Sequence, residues 1–353
     1  MPFSTEQLAY AGKFALDFYL KNDPVDNINV AHPLLKKLTE GKKPYGGALQ
    51  YVVENLRFDN DSNFQSYFGD SQVTYNRKRT MTQAKFNWGS FHDGFGLNED
   101  ELAANGIIVT DDKSATPSDA EKIQLADLLK ENLEALKLGF QANLDLMLHR
   151  DGTASATDIA GLDLLVKVDP TTSTSVGTIN ESTSTWWQNN YSTSINSATA
   201  GLLIATMETQ WRECTRYGGK APNYILAGGD FIDAYIANAG ATVTRQVTND
   251  PKLKQGGVSL DAGTTGVYFH GVELIWDPTF DILDTLDSPG VAWAKRCYFL
   301  NTDTIKLRPI TGHWMISRKP PRVYDRYVHY WALTSKGSMT INKRNANAVL
   351  AIS

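Results

Sequence analysis

Apolar positions recur along this chain with two different periods, and each change of period marks an element. Residues 4–21 carry Leu8, Ala11, Ala15 and Phe18 at helical spacing. The polar stretch 22–27 follows, then a second helical patch around Leu34–Leu38, closed by Gly41 and the turn Pro44-Tyr45-Gly46-Gly47. The first 45 residues therefore read as an arm with little capacity for a core of its own. Residues 48–58 read as a strand. Residues 73–88 read as another, with Ala84, Phe86 and Trp88 alternating against Lys85 and Asn87. Between them runs 59–70, polar except for Phe64, Tyr67 and Phe68. Strands of this length reach roughly 35 Å at ~3.3 Å per residue. A two-stranded hairpin is marginally stable in water by itself, so either another chain or another part of this one must cover it.

The strongest periodic signal predicts a helix over 118–149. Ser118-Asp-Ala-Glu121 is a capping box placed directly after Pro117, and it supplies partners for the first free amides. Leu125, Leu129, Leu133, Leu136, Phe140, Leu144 and Met147 then form one apolar stripe, and Gly152 supplies the stop. Such a helix spans roughly 48 Å at 1.5 Å per residue, well beyond the usual globular length. A long one-sided helix needs a sheet or partner along it, as a spine does.

Beyond it the pattern predicts a strand over 159–168 and an exposed Ser/Thr-rich loop over 171–185, closed by Trp186-Trp-Gln-Asn-Asn-Tyr191. A helix over 195–217, a buried strand over 222–227 and a short helix over 230–238 follow. A Gly- and Asp-rich loop occupies 242–266, and strands resume at 267–277 and 295–307. The segments 322–333 and 338–342 read as a terminal hairpin turning at Lys336-Gly337. Helices and strands mixed without regular βαβ alternation predict an α+β fold.

Composition narrows the function. Of 353 residues, 42% are hydrophobic and 21% charged, enough for two compact domains. The net charge is −5, and the basic residues occur in short scattered clusters such as Arg77-Lys78-Arg79. That balance argues for solvated rims rather than a phosphate-neutralising face. Cys214 and Cys297 make no disulfide framework, which points to folding in a reducing cytoplasm. No secretory leader is expected at the start, and no apolar run approaches the ~20 residues of a membrane span.

No chemistry-bearing motif emerges. There is no Walker A loop, Gly94-Phe-Gly96 lacks the third glycine of a dinucleotide fingerprint, and no Gly-x-Ser-x-Gly elbow occurs. The histidines (His32, His92, His149, His270, His313 and His329) lack metal-ligand spacing. Asp59-Asn-Asp61-Ser-Asn63 begins like a calcium loop but has Phe64 at the turn glycine. Accordingly no cofactor, metal or catalytic residue is expected. Asp111-Asp112, Asp151 and Glu99-Asp-Glu101 are the carboxylates a glycoside hydrolase would need to pair, which keeps an intracellular carbohydrate-active enzyme as the competing reading.

The order of arm, long hairpin, spine helix, mixed domain and terminal strands resembles the major capsid protein of tailed double-stranded-DNA bacteriophages, the Hong-Kong-phage capsid fold. The segments Phe269-His-Gly-Val-Glu-Leu-Ile-Trp-Asp-Pro278, Tyr298–Leu307, Trp186-Trp-Gln-Asn and Trp331–Met339 carry the likeness. The resemblance implies an N-terminal arm at 1–45 and an extended loop at 46–95. It further implies a peripheral domain at 96–185 with 311–353, and an axial domain at 186–310. Phe64, Tyr67, Phe68, Arg77, Lys78 and Arg79 become subunit contacts on the extended loop. The implied partners are further copies of the chain in hexamers and pentamers, with scaffolding, portal and decoration proteins. Enclosed double-stranded DNA would be held without sequence-specific binding and without a membrane. Because the arm begins at once, scaffolding is expected to be a separate protein or unnecessary. The implied location is the virion, assembled in the bacterial cytoplasm. An encapsulin-like nanocompartment is the nearest rival. Some family members join a loop lysine to an asparagine; Lys78 or Lys85 and Asn342, Asn345 or Asn347 are available, but no glutamate is evidently placed to catalyse the bond.

Overall fold

Apolar runs without alternation, such as Tyr224-Ile-Leu-Ala227, can form strands only where both faces of a sheet are covered. That is where they lie in the structure, a computed structural model that describes residues 30–46, 50–104, 119–155, 157–172, 174–199, 201–216, 220–242, 257–258, 267–287, 289–318 and 328–353. The chain divides into two units. One comprises residues 1–30, 90–144 and 312–336, and the other residues 31–89, 145–311 and 337–353.

The second unit is built on a seven-stranded sheet. Its order is Asn190–Ile195, Ala348–Ile352, Arg296–Leu300, Tyr224–Ala227, Val272–Trp276, Val267–Phe269 and Gly257–Val258. Pairing is mixed: Ala348–Ile352 runs parallel to Asn190–Ile195 and antiparallel to Arg296–Leu300, while Val272–Trp276 runs parallel to Tyr224–Ala227. One face packs under the helices Leu202–Arg216 and Gly229–Thr242, with Met207, Trp211, Phe231, Phe269 and Phe299 in a single cluster. On this cluster's edge-to-face rings, Trp211 meets Phe269 and Phe299 at 5.6 Å each. From the other face Tyr298 meets Phe280 at 5.9 Å and Trp293 at 6.2 Å.

A buried ion pair ties the loops of this unit together. Arg344 is 1% exposed, and its guanidinium donates to the carbonyls of Leu165 and Trp187, to Asn189 Oδ1 and to the fully buried Glu181. Trp187 in turn donates its indole N–H to Val176 O at 3.0 Å. Burial pulls the Arg344 pKa down to about 10 despite the neighbouring Glu181 carboxylate. The Trp-Trp-Gln-Asn segment is thus a cross-linking centre, and the Ser/Thr-rich segment before it folds into the small hairpin Ser175–Val176 with Ile179–Asn180.

In the first unit, Gly89–Asn98 pairs with Val328–Ile341, and Ile316–Arg318 pairs antiparallel across residues 332–334. A Cβ on Gly94 would sit 2.8 Å from Trp331 O, and one on Gly96 2.9 Å from Val328 Cγ1. These glycines therefore mark close approach of neighbouring strands. The helix Asp119–His149 lies where its stripe predicts, although Ser118 of the capping box falls outside the described residues. Its stop is also as read: Gly152 has φ +68°, and a Cβ there would collide with Ile159 O.

Four local readings are corrected. Residues 328–341 form one continuous strand, not a hairpin; Gly337 sits in the ladder opposite Pro309. Residues 159–168 hold the helical turn Leu162–Leu165, started by Gly161, whose missing Cβ admits the carbonyls of Arg150 and Met147. The predicted helix over 195–217 is preceded by the strand Asn190–Ile195 and begins only at Leu202. The strand over 295–307 is two, Arg296–Leu300 and Ile305–Pro309, separated by a turn that Asn301 closes by accepting Thr304 N–H.

Replacing Arg344 with Met is expected to destabilise the protein by about 3–5 kcal/mol, because Glu181 is left charged and buried. Adding Glu181→Gln should recover a large part of that loss in urea unfolding; an unchanged midpoint for the single variant would show that the pair holds nothing.

Candidate subunit-contact surface

The hairpin in the second unit is where this chain departs from the economy of a closed domain. Val52–Arg57 and Met81–Phe86 pair antiparallel over six positions, from Val52 opposite Phe86 to Arg57 opposite Met81. This ladder is shorter than the strands read over 48–58 and 73–88; residues 58–80 continue both limbs as irregular backbone. Strand alternation places Val52, Leu56, Ala84 and Phe86 inward, all buried.

The base is anchored by specific contacts. Glu54 shares the inward face, and its Oε1 accepts Arg308 Nη2 at 2.8 Å and Thr340 Oγ1 at 3.0 Å. The Lys85 amide donates to Gly177 O at 2.9 Å, and Gly177 has no Cβ because Ala84 Cβ would lie 2.8 Å from it. Phe58 tilts against Trp186 at 5.8 Å, and Tyr45 against Trp88 at the same separation. Lys43 and Tyr45 donate backbone N–H groups to Leu307 O and Pro309 O, which lays the preceding segment along that strand.

Past Phe58 the packing ends. Phe64 is 95% exposed, Phe68 91%, Tyr75 91% and Tyr67 71%. The limbs are held to each other by polar groups: Asp61 Oδ2 accepts the Arg79 amide, Asn63 donates to Thr74 O, and Ser71 N–H donates to Phe68 O at the turn. The calcium-like residues are thus employed in crossing the hairpin. All six residues expected to make subunit contacts sit on this segment, the aromatics on the outgoing limb and tip, and Arg77, Lys78 and Arg79 exposed on the returning limb. Tyr75 belongs with them and was hidden in the sequence by an assumed strand over 73–88. Covering one such ring is worth about 1.5–3 kcal/mol, and no described residue of this chain covers them.

Catalytic alternatives find no such support. Asp111 and Asp112 lie outside the described residues, while Asp151 binds Thr153 and Glu101 is buried, accepting the Asn98 amide. Neither Asp151 nor Glu101 lines the cavity of about 270 Å³ bounded by Lys37, Glu40, Asp303 and Lys306. Of the asparagines considered for a cross-link, Asn347 is fully buried and committed to Asn301, Thr304 and Lys343.

One further polar cluster escaped sequence reading. Asp145, His149 and Asp277 lie fully buried together in the second unit, their donor atoms within 4.8 Å of one another. Asp145 and His149 stand at i,i+4 on the inner side of the long helix, beside Leu144 and Leu148, while Leu133 of the predicted stripe is 36% exposed. Two polar residues interrupting the apolar face were the available signal.

No protein-family model matches the sequence, and no curated protein matches it. Solved structures do. The chain aligns with a chain of the cyanophage A-1(L) capsid asymmetric unit at TM-score 0.64 and 16% identity, covering 94% of this chain and 95% of that one. It aligns with the capsid of a native GTA particle at TM-score 0.57 and 9% identity, covering 95% and 96%. A third likeness is to the SrpI encapsulin complex of Synechococcus elongatus PCC 7942, at TM-score 0.51 and 12% identity, over 95% and 94%. Over nearly its whole length, then, the chain has the fold of phage capsid shell proteins, the Hong-Kong-phage capsid fold. Among the described residues no helix is long and apolar enough to cross a membrane.

Replacing Glu54 with Gln is expected to cost about 1–2 kcal/mol, since a charged acceptor serving two donors is lost. A double-mutant cycle with Arg308→Met should show coupling between the two positions; additive losses would mean that Glu54 does not anchor the hairpin.

Proposed function

We propose that this protein is the major capsid protein of a tailed bacteriophage, assembling into hexamers and pentamers that close an icosahedral shell around double-stranded DNA. The observation that carries the proposal is a firmly rooted hairpin whose aromatic tip is exposed, with no described residue of its own chain covering it. On this reading the segment 46–95 lies across a neighbouring subunit, with Phe64, Tyr67, Phe68 and Tyr75 filling apolar ground and Arg77, Lys78 and Arg79 meeting its rim. The whole-chain likeness to capsid proteins supports the same conclusion. Residues 186–310 then serve as the axial domain, 96–185 with 311–353 as the peripheral domain, and 1–45 as the arm.

A ring-closing contact repeated by symmetry turns modest interfaces into a cooperative shell, because each later contact forms within an assembly already held together. No catalytic step is needed. DNA is retained by enclosure, consistent with a net charge of −5. Scaffolding, portal and decoration proteins are the further partners, and the virion is the destination. The encapsulin likeness favours one second reading, a nanocompartment that packages protein.

Expression of the chain, alone and with its neighbouring genes, followed by light scattering and negative-stain microscopy, tests the proposal. Shells, tubes or five- and six-fold rings are expected, and their nucleic-acid content separates phage capsid from nanocompartment. The triple variant Phe64→Ser, Phe68→Ser, Tyr75→Ser should unfold at the wild-type midpoint yet fail to assemble. A wild-type chain that stays monomeric in both settings would end the capsid reading.

A further inference from the structure

The buried Asp145–His149–Asp277 cluster is unexplained by shell formation. Two readings suit its composition: a site for a metal ion, or a charged ring clamped between acids. The hydrogen bonds distinguish them. His149 Nδ1 lies 2.8 Å from the backbone carbonyl of Asp145, an acceptor only, so Nδ1 carries a hydrogen. Nε2 lies 2.9 Å from Asp277 Oδ2. The other oxygen of Asp277 accepts the Thr279 amide at 3.0 Å, an arrangement that suits an ionised carboxylate taking a hydrogen from Nε2 as well. Asp145 Oδ2 approaches the opposite, Nδ1 edge of the ring at 3.6 Å. A ring with an acid at each edge and a hydrogen on each nitrogen is an imidazolium, and it has no lone pair to offer a metal.

Asp145 extends the cluster to the segment that precedes the hairpin. Its Oδ1 accepts the Leu35 amide at 3.2 Å, while Oδ2 accepts the Thr279 hydroxyl at 2.7 Å and lies 3.2 Å from His32 Nδ1. Tyr224 adds a hydroxyl donated to Pro33 O at 2.8 Å. Two aromatic rings also pack on the His149 imidazole: Phe280 meets it edge-on at 5.4 Å and Trp293 at 6.3 Å.

We infer that a protonated His149, held between Asp145 and Asp277, is a latch that fastens residues 32–40 to the core of the second unit, and that removing its proton loosens that segment. With the ring neutral, two buried carboxylates lose the cation between them, and Asp145 can no longer keep its charge while holding Leu35 and Thr279. The groups facing the ring are Asp145, Asp277, His32 and Tyr224. Burial by itself would lower the His149 pKa from 6.5, but Asp145 and Asp277 outweigh it and raise the value to about 9. Burial likewise pushes the Asp145 carboxyl up, and His149, His32 and Thr279 together hold it below its ordinary value. Because the folded value of His149 stands above 6.5, its stabilisation is complete below that pH and is lost as pH rises toward about 9.

Histidine-¹⁵N magnetic resonance of the full chain, assembled or not, reads the ring directly. One histidine should be doubly protonated at neutral pH, titrate near pH 9 and be missing from the His149→Gln variant. Amide exchange over residues 33–40, corrected for intrinsic rates, should lose protection by roughly tenfold per pH unit from about 7 to 9, then level off. In His149→Gln, or Asp277→Asn should that variant fail to fold, this dependence should flatten or shift to lower pH. A neutral ring at pH 7, pH-independent protection in the wild type, or a stoichiometric metal ion retained after dialysis against chelator would each overturn the inference.

Discussion

Two strands cannot cover each other. A paired ladder satisfies its backbone but leaves two faces of side chains, and this hairpin has a core behind only one of them and only along its first six positions. The rest of the molecule answers that constraint. Glu54, Arg308 and Thr340 fix the angle at which the base leaves the second unit, and Gly177 lets the small hairpin press against Ala84. Beyond that root residues 58–80 run as irregular backbone, tied limb to limb by Asp61 with Arg79 and Asn63 with Thr74.

The sheet of the second unit supplies the opposing half of the design. Strands apolar on both faces, helices over one side and the Phe280–Trp293–Tyr298 group on the other make a block that does not deform when its surface is loaded. Its buried charges include two interacting groups: Arg344 with Glu181, and Asp145 with His149 and Asp277. Each joins segments distant in sequence where apolar contact alone would not specify a register.

Much of this was legible from residue order. The long helix followed from a stripe at spacings of three and four, the strand at Tyr224–Ala227 from an unbroken apolar run, and the hairpin from alternation around Ala84 and Phe86. What failed has physical reasons. Gly337 read as a turn because composition does not reveal that glycine is as much at home in a crowded ladder. The strand Ala348–Ile352 was missed altogether. A short apolar run carries no periodicity, and its partners stand about fifty and more than one hundred and fifty residues earlier. The exposed aromatics at Phe64, Tyr67 and Phe68 were noticed from sequence because apolar residues in a polar stretch need a destination. Tyr75 was not, since a predicted strand would have given it one. The His149 cluster joins the end of the long helix to Asp277, more than a hundred residues later, and only folding brings them together.

The place of Ala348–Ile352 has a consequence for how the protein is made. It is sandwiched between Asn190–Ile195 and Arg296–Leu300, both synthesised before it. Until it emerges from the ribosome, the edge strand Asn190–Ile195 lacks its neighbour in the sheet, and Arg296–Leu300, buried along its whole length in the folded protein, has an open hydrogen-bonding edge. An unfinished chain is therefore sticky where a finished one is sealed. Adding that strand is the step that ties the edge strand to the rest of the sheet.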